Sequence, residues 1–153
     1  MRVLVLADSH GRSELLRKAV EAHPEAEAVI HLGDGSWDME GLEFLPGQTV
    51  LQLRGNNKND SRELPYSLHG DFGGVRYYAC HGHRERIKFT DETVLEKAQK
   101  YGASLVLHGH IHSPSVETRG GVLLVDPGAV KYGCYAVLDI TEQGVTPILM
   151  KIP

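Results

Sequence analysis

MRVLVLADSH, residues 1–10, sets a continuous apolar run at residues 3–7 directly against Asp8, Ser9 and His10. A run without alternation is the pattern of a strand covered on both faces. Such a strand, ending in a carboxylate and an imidazole, places ligand chemistry at its carboxyl end, where open α/β sheets bind their ligands. Working outward, the arrangement recurs. Residues 28–32 and 49–53 read as further strands and are followed by Gly33-Asp34 and Gly55-Asn56. Residues 75–80 lead into His81-Gly82-His83, and residues 104–107 into Gly109-His110-Ile111-His112.

Between these motifs the spacing predicts two helices. Ser13 is placed as an N-cap, with Leu15, Leu16, Ala19 and Val20 at helical spacing and Pro24 beyond the end. Thr90 caps a second helix, with Val94, Leu95, Ala98 and Tyr101 as its apolar stripe and Gly102 as its stop. Residues 66–69 and 75–80, around Gly70, Gly73 and Gly74, suit a hairpin. Alternating segments around Gly120-Gly121, Gly133 and Gly144 predict an antiparallel meander in the last third. An early α/β half joined to a late all-β half predicts two sheets packed face to face with helices outside.

A chain of 153 residues with 41% hydrophobic content suits one domain, 1–153. Its net charge of −4 shows no large basic excess, which argues against long nucleic acid as a partner. Two cysteines, Cys80 and Cys134, without CxxC spacing point to a reducing, cytoplasmic setting. Asp8 and His10 end the first apolar run well short of membrane-spanning length, and no later run reaches it, so no membrane partner is expected.

A divalent cation of this class takes several oxygen and nitrogen donors at about 2 Å, more than any single segment here supplies. Five loops meeting in one crevice would supply enough for two ions. A carboxylate has two oxygens and can bridge ions about 3.5–4 Å apart. Glycines beside Asp34, Asn56, His81 and His110 give the backbone freedom to turn these ligands inward. Singly the pieces are weak, because D-x-H arises by chance, G-N reads as a turn and H-x-H fits an alternating strand. Their order, each after a predicted strand, carries the signal.

That order, D-x-H, G-D, G-N, H-G-H and G-H-x-H from Asp8 to His112, with a weaker motif at 126–129, resembles the calcineurin-like metallophosphoesterase superfamily, specifically its short YfcE-like phosphodiesterases. The resemblance implies a four-layer αββα sandwich of two mixed β-sheets flanked by helices. It implies Asp8, His10, Asp34 and His112 at one metal, and Asp34, Asn56, His81 and His110 at the other, with Asp34 as the bridge. It favours two manganese ions, and the mixed donor set also suits nickel, cobalt, iron or zinc. Many relatives follow the G-N asparagine with a leaving-group histidine paired to an aspartate. Here those places read Asn57 and Lys58, and Asp126 stands where the family usually has asparagine.

The expected reaction is hydrolysis of a small phosphodiester. Two divalent ions neutralise its oxygens and lower the pKa of a shared water, giving a hydroxide that attacks phosphorus opposite the leaving oxygen. Asp34, Asn56, His81 and His83 are the expected catalytic residues. His83 either orients substrate or water, or fixes His81 through a hydrogen bond. Three other readings stand beside this one: a phosphomonoesterase on the same site, a hydrolase using H-x-H at one zinc, and a non-catalytic scaffold such as the retromer subunit of this fold. The full ligand set weighs against the scaffold. A symmetric homodimer is the expected assembly. Elsewhere Trp37 reads as a packed aromatic, Asp38 as a helix cap and Cys80 as core, with His31 and His108 supporting the ligands. His23 and His69 read as surface residues. Arg54, Arg84, Arg86 and Lys88 read as solvated cations that could also hold a phosphate.

Overall fold

The computed structural model describes all residues, Met1–Pro153. The first apolar run forms β1 (Arg2–Leu6) and is followed by α1 (Ser13–Glu21), β2 (Ala28–His31), a 3-10 turn at Ser36–Met39 and β3 (Thr49–Gln52). The hairpin of β4 (Ser67–Phe72) and β5 (Val75–Cys80) leads to α2 (Glu92–Tyr101) and β6 (Leu105–Leu107). The chain ends with two further hairpins, β7 (Ser115–Arg119) with β8 (Val122–Asp126), and β9 (Cys134–Thr141) with β10 (Gly144–Lys151).

These strands make two five-stranded sheets, ordered β10-β9-β1-β2-β3 and β4-β5-β6-β8-β7. Both are mixed. In the first, β1, β2 and β3 run parallel and β9 pairs antiparallel to β1. In the second, β5, β6 and β8 run parallel between the antiparallel edges β4 and β7.

The apolar runs lack alternation because each central strand is covered twice. Val3 and Val5 of β1 join Ile30, Tyr77, Ala79, Leu105 and Leu107 in the core between the sheets. Leu4 and Leu6 face the other way and pack with Leu16, Ala19 and Val20 of α1. On the far side of the molecule Val94 and Ala98 of α2 cover Tyr78, Cys80, Val106 and Leu124. The layers are therefore helix, sheet, sheet, helix. Each fully buried leucine in these interfaces stabilises the fold by about 1.5–3 kcal/mol.

The helix ends follow local chemistry with two changes from expectation. Gly102 closes α2 at φ 65°, but the N-cap is Asp91 and not Thr90, which stands one residue earlier and accepts the Glu92 N–H through Oγ1 at 3.1 Å. Ser13 is the first residue of α1, not its cap, and no side chain caps that end.

Two other expectations are corrected. The last third is not one antiparallel meander. Its first hairpin joins the second sheet through a parallel β6–β8 pairing, and its second hairpin crosses to the first sheet, where β9 borders β1. A period-2 pattern marks strands but carries no information on which strand lies beside which. His23 is buried instead of exposed, and its Nε2 lies 2.9 Å from the Tyr135 hydroxyl.

Asp126 ends β8 with a fully buried carboxyl. Its Oδ1 accepts the Gly128 N–H at 2.8 Å, while Oδ2 has no hydrogen-bond partner and lies 3.6 Å from His108 Nδ1. Burial, with the charge of Asp8 adding to it, pushes the Asp126 carboxyl up to about 7, and burial also lowers His108, so the two do not form a full ion pair. The folded state binds a proton here that the unfolded chain has released, so stability falls as pH rises from the ordinary carboxylate range through about 7. In metal-free protein, Asp126→Asn is therefore expected to stabilise the fold by about 1–3 kcal/mol more at pH 8 than at pH 5, read by denaturant unfolding at each pH. A difference independent of pH would show that Asp126 is ionised in the folded protein throughout.

Candidate metal centre

The polar residues that follow the parallel strands meet at one end of the sandwich. Asp8 N donates to Gly33 O at 3.0 Å and His10 N to Asp34 O at 3.1 Å, tying the loop after β1 to the loop after β2. Gly109 N donates to His81 O at 2.9 Å, and His110 N donates to Asp8 Oδ2 at 3.1 Å, which links the two sheets across the crevice. The strain of this convergence sits on the ligands themselves. Of six non-glycine residues with positive φ, five are Asp8, His10, Asp34, His110 and His112. Each costs about 1–3 kcal/mol and persists because its surroundings hold it in place. Glycine is required at Gly55 for another reason: a Cβ there would run into Asp34 Oδ1.

The donors fall into two groups of three, Asp8 with His10 and His112, and Asp34 with His81 and His110. Within each group one ligand atom per residue lies within 4.8 Å of the others, so each could hold a metal ion. Asp8 Oδ1 is 3.1 Å from His112 Nε2 and 3.5 Å from His10 Nε2. Asp34 Oδ2 is 3.4 Å from His81 Nε2 and 3.6 Å from His10 Nε2, so it borders both groups.

The fit to a cation can be judged from where the protons are. His81 Nδ1 lies 3.1 Å from Leu32 O, a carbonyl that can only accept, so Nδ1 carries a proton and Nε2 is the atom turned to the carboxylates. His10 Nε2 is buried without a hydrogen-bond partner. The Asn56 amide presents its oxygen to acceptors only, Asp34 Oδ2 and His81 Nε2, each at 3.0 Å. Turned over, the amide would donate to both. With a cation between them, oxygen is the atom required, and we keep that orientation. A cluster of lone pairs aimed at one another is the arrangement a divalent ion resolves.

Ionisation points the same way. Burial raises Asp34 and Asp8, but the hydrogen bonds and charges of the surrounding imidazoles outweigh it and hold both below the usual carboxylate range. His81 is the exception: burial lowers it, yet Asp34 and Asp8 outweigh burial and raise that imidazole, so a bound cation would take the place of a proton on Nε2. His110 is pushed down to about 4 by burial, then by the charges of His81 and Lys88, and His112 is lowered by burial and Lys131. These two therefore offer free lone pairs at neutral pH.

His83 stands at the edge of the cluster, with its ring centroid 5.5 Å from that of His81 and 6.2 Å from that of His110. Its Nδ1 is buried and bonded to nothing, so no hydrogen bond to His81 is made. Asn57 lends its backbone N–H to Asp34 Oδ1 at 2.8 Å, while its side chain folds back to accept from Asn59 N at 3.0 Å. Trp37 is half-buried in the 3-10 turn, and Asp38 accepts Gly11 N at 2.9 Å.

Two supports lie behind the ligands. Gly33 N donates to His31 Nδ1 at 3.1 Å, so the His31 proton is on Nε2, 3.0 Å from Ser9 Oγ, whose hydroxyl donates to Gly35 O at 3.1 Å. Burial keeps His31 neutral, down to about 4. The second support, Asp60, is one the sequence did not disclose. Its buried carboxylate accepts Asp34 N at 2.8 Å, Gly35 N at 3.1 Å, Ser36 N at 3.0 Å and Gly55 N at 2.7 Å. Only its place after the G-N motif could have hinted at this, and a lone aspartate in a polar loop reads as solvated.

Residues 1–143 match the model of the calcineurin-like phosphoesterase superfamily domain. "Probable metallophosphoesterase YsnB" of Bacillus subtilis is 28% identical over 153 residues, 95% of this chain and 88% of its own length. A phosphodiesterase of Methanocaldococcus jannaschii is 28% identical over 146 residues, 84% of this chain and 83% of its own. Among solved structures, a conserved Streptococcus pneumoniae protein described as a predicted phosphoesterase superposes with a TM-score of 0.81 at 24% identity, covering 98% of this chain and 88% of that one. Vps29 of Entamoeba histolytica complexed with zinc superposes with a TM-score of 0.70 at 15% identity over 100% of both chains. At such identities the two superpositions show the fold alone.

Removing the Asp60 carboxylate would leave four backbone N–H groups without their acceptor. Asp60→Ala is expected to destabilise the protein by about 3 kcal/mol, and to weaken manganese affinity by about tenfold or more. Asp60→Asn, which keeps one acceptor oxygen, should fall between. Denaturant unfolding and manganese titration of each variant check this, and unaltered manganese affinity in Asp60→Ala would show that the clamp does not position Asp34.

Proposed function

The chain belongs to the calcineurin-like phosphoesterase superfamily, and from that premise we propose that it hydrolyses small phosphodiesters at a dinuclear metal site. One observation carries the reading: Asp34 Oδ2 borders both ligand groups, 3.4 Å from His81 Nε2 and 3.6 Å from His10 Nε2. Asp8, His10, Asp34 and His112 would hold one ion, and Asp34, Asn56, His81 and His110 the other. Manganese is our assignment, on the strength of the family resemblance and a mixed imidazole and carboxylate donor set. Bound divalent ions supply charge that neutralises phosphoryl oxygens and lowers the pKa of water.

The side chains define the rest. Leu32 O fixes the His81 ring, and the Asp60 clamp fixes the turn that carries Asp34. His83, half-buried with Nδ1 unbonded, is placed to hydrogen-bond a phosphoryl oxygen or an incoming water. No imidazole stands at position 57, and the Asn57 side chain is engaged in its own loop, so a leaving oxygen receives no proton from there. Turnover then depends on the acidity of the leaving group itself. The diester reading, in preference to the monoester one, is supported by the relative that bears a phosphodiesterase name. The scaffold reading is disfavoured because a purely structural role would not call for a cluster of lone pairs held by strained backbone.

Metal-stripped protein given back manganese should hydrolyse bis(p-nitrophenyl) phosphate with a kcat/KM about tenfold or more above that for p-nitrophenyl phosphate, a barrier difference of about 1.4 kcal/mol. Faster hydrolysis of the monoester would overturn the diester assignment in favour of a phosphatase.

Asp34→Ala removes the carboxylate shared by both groups. Metal analysis is expected to show loss of both ions, and the rate on the diester should fall by about a thousandfold or more. Two ions retained per chain at an undiminished rate would exclude Asp34 as the bridge.

A further inference from the structure

Beside the candidate metal centre, on the flank of His83, two guanidinium groups sit on one aromatic ring. Arg54 Cζ lies 4.8 Å and Arg84 Cζ 4.3 Å from the centroid of Tyr66. That ring is 5.6 Å from His83, which is 5.5 Å from His81. The two arginines come from chain segments that carry the ligands, and the tyrosine from just before the strand that pairs with β5. Arg54 immediately precedes Gly55-Asn56, Arg84 immediately follows His83, and Tyr66 directly precedes β4.

Neither Arg54 nor Arg84 has a carboxylate within ion-pair distance, a state they share with Arg17, Arg62 and Arg86, whereas Arg2, Arg12, Arg76 and Arg119 are paired. What sets these two apart is that both unpaired guanidiniums lie on one ring beside the candidate metal centre. Glu85 is adjacent in sequence, but it is buried and its carboxylate accepts the Tyr78 hydroxyl at 2.8 Å. Two like charges placed together repel, and the ring they share offsets this only in part. The planar donor forks, five N–H groups each, suit an oxyanion with several oxygens. A nucleobase is a poorer occupant, because the Tyr66 ring on which it would stack already carries the guanidiniums. Next to them Tyr66, Arg84, Thr93 and Lys97 border a cavity of about 260 Å³, which adds an ammonium group to the same flank; Glu85 also lines it, with its carboxylate bonded to the Tyr78 hydroxyl.

We propose that Arg54 and Arg84, held on Tyr66, form a subsite for a second phosphoryl group of the substrate, so that the favoured substrates are phosphodiesters that also carry a phosphomonoester. The proposal rests on the phosphodiester reading for the group at the metal centre. It requires the substrate to reach from His81 past His83 to Tyr66, two ring-to-ring steps. The overall charge of −4 means that this attraction is local and not a property of the whole surface.

The test is calorimetric binding of thymidine 3′,5′-bisphosphate and thymidine 5′-monophosphate to manganese-loaded protein, freed of unbound manganese. The bisphosphate should bind about tenfold more tightly, with the ratio shrinking as ionic strength rises. Arg84→Gln and Arg54→Gln should each bring the ratio toward one, and Arg84→Lys should fall between. Arg17→Gln, an exposed charge on α1, should leave it unchanged. Equal affinity for the two ligands, or a ratio indifferent to the Arg54 and Arg84 variants, would overturn the subsite. Because the readout is binding, it stands apart from turnover. A monoester preference in the aryl phosphate assay would remove the diester reading while the affinity ratio still decided the subsite.

Discussion

Lone pairs aimed at one another repel, and holding those of Asp8, Asp34 and Asn56 together around His81 is the constraint on which the rest of the structure depends. Two carboxylates, an amide oxygen and an imidazole nitrogen meet within a few ångströms, with Asp8, Asp34 and His81 buried and Asn56 at the solvent edge. Such a group persists in a folded chain only if cations resolve it or if the framework is stiff enough to bear it. The framework bears a second load as well. Five of the ligating candidates adopt left-handed backbone, and their summed strain is on the order of the whole net stability of a small domain. Ion binding and folding are therefore coupled here, since an ion that binds the assembled loops stabilises the state in which they are assembled.

Stiffness comes from the layers. β1 is buried on both faces, between the second sheet and α1, so its carboxyl end cannot shift without disturbing two cores. The loop after β2 is then fixed to the loop after β1 by backbone hydrogen bonds, and pressed against the loop after β3 where Gly33 and Gly55 meet backbone to backbone. Asp60 completes the fastening by gathering four N–H groups from both loops into one carboxylate. Each strand end is thus held from at least two directions. Rigid elements beneath a site on loops are what keep ligands within the tolerance that coordination demands.

Much of this was legible in the sequence because the chemistry is local. An apolar run that stops at Asp8, Asp34 or His81 declares both a buried strand and a polar residue at its end, and no other residue needs to be known. The layered architecture was legible for the same reason: continuous runs need cover on both sides. What escaped was everything that depends on a partner distant in the chain. The pairing of β9 with β1 is chosen by the whole core, not by alternation within residues 134–141. His23 looked exposed because its partner, Tyr135, lies 112 residues away. Asp60 gave no signal because three of the four groups it binds, at Asp34, Gly35 and Ser36, lie in the loop after β2.

Net charge was also a poor guide to the field at the site. The chain is acidic overall, and the centre itself is rich in carboxylates, which would repel any phosphoester. Cations are nevertheless gathered around it: Lys88 and Lys131 lie close enough to act on His110 and His112, and Arg54 and Arg84 flank His83 through Tyr66. The lysines favour the neutral form of those imidazoles, which leaves their lone pairs available to a metal. The arginines are held off the carboxylates by the ring they share, so their donors are not spent on Asp8 or Asp34. A site that must bind both cations and an anionic ester needs this separation, because positive side chains placed among the ligands would compete with the metal, and placed a ring's width away they can assist the substrate.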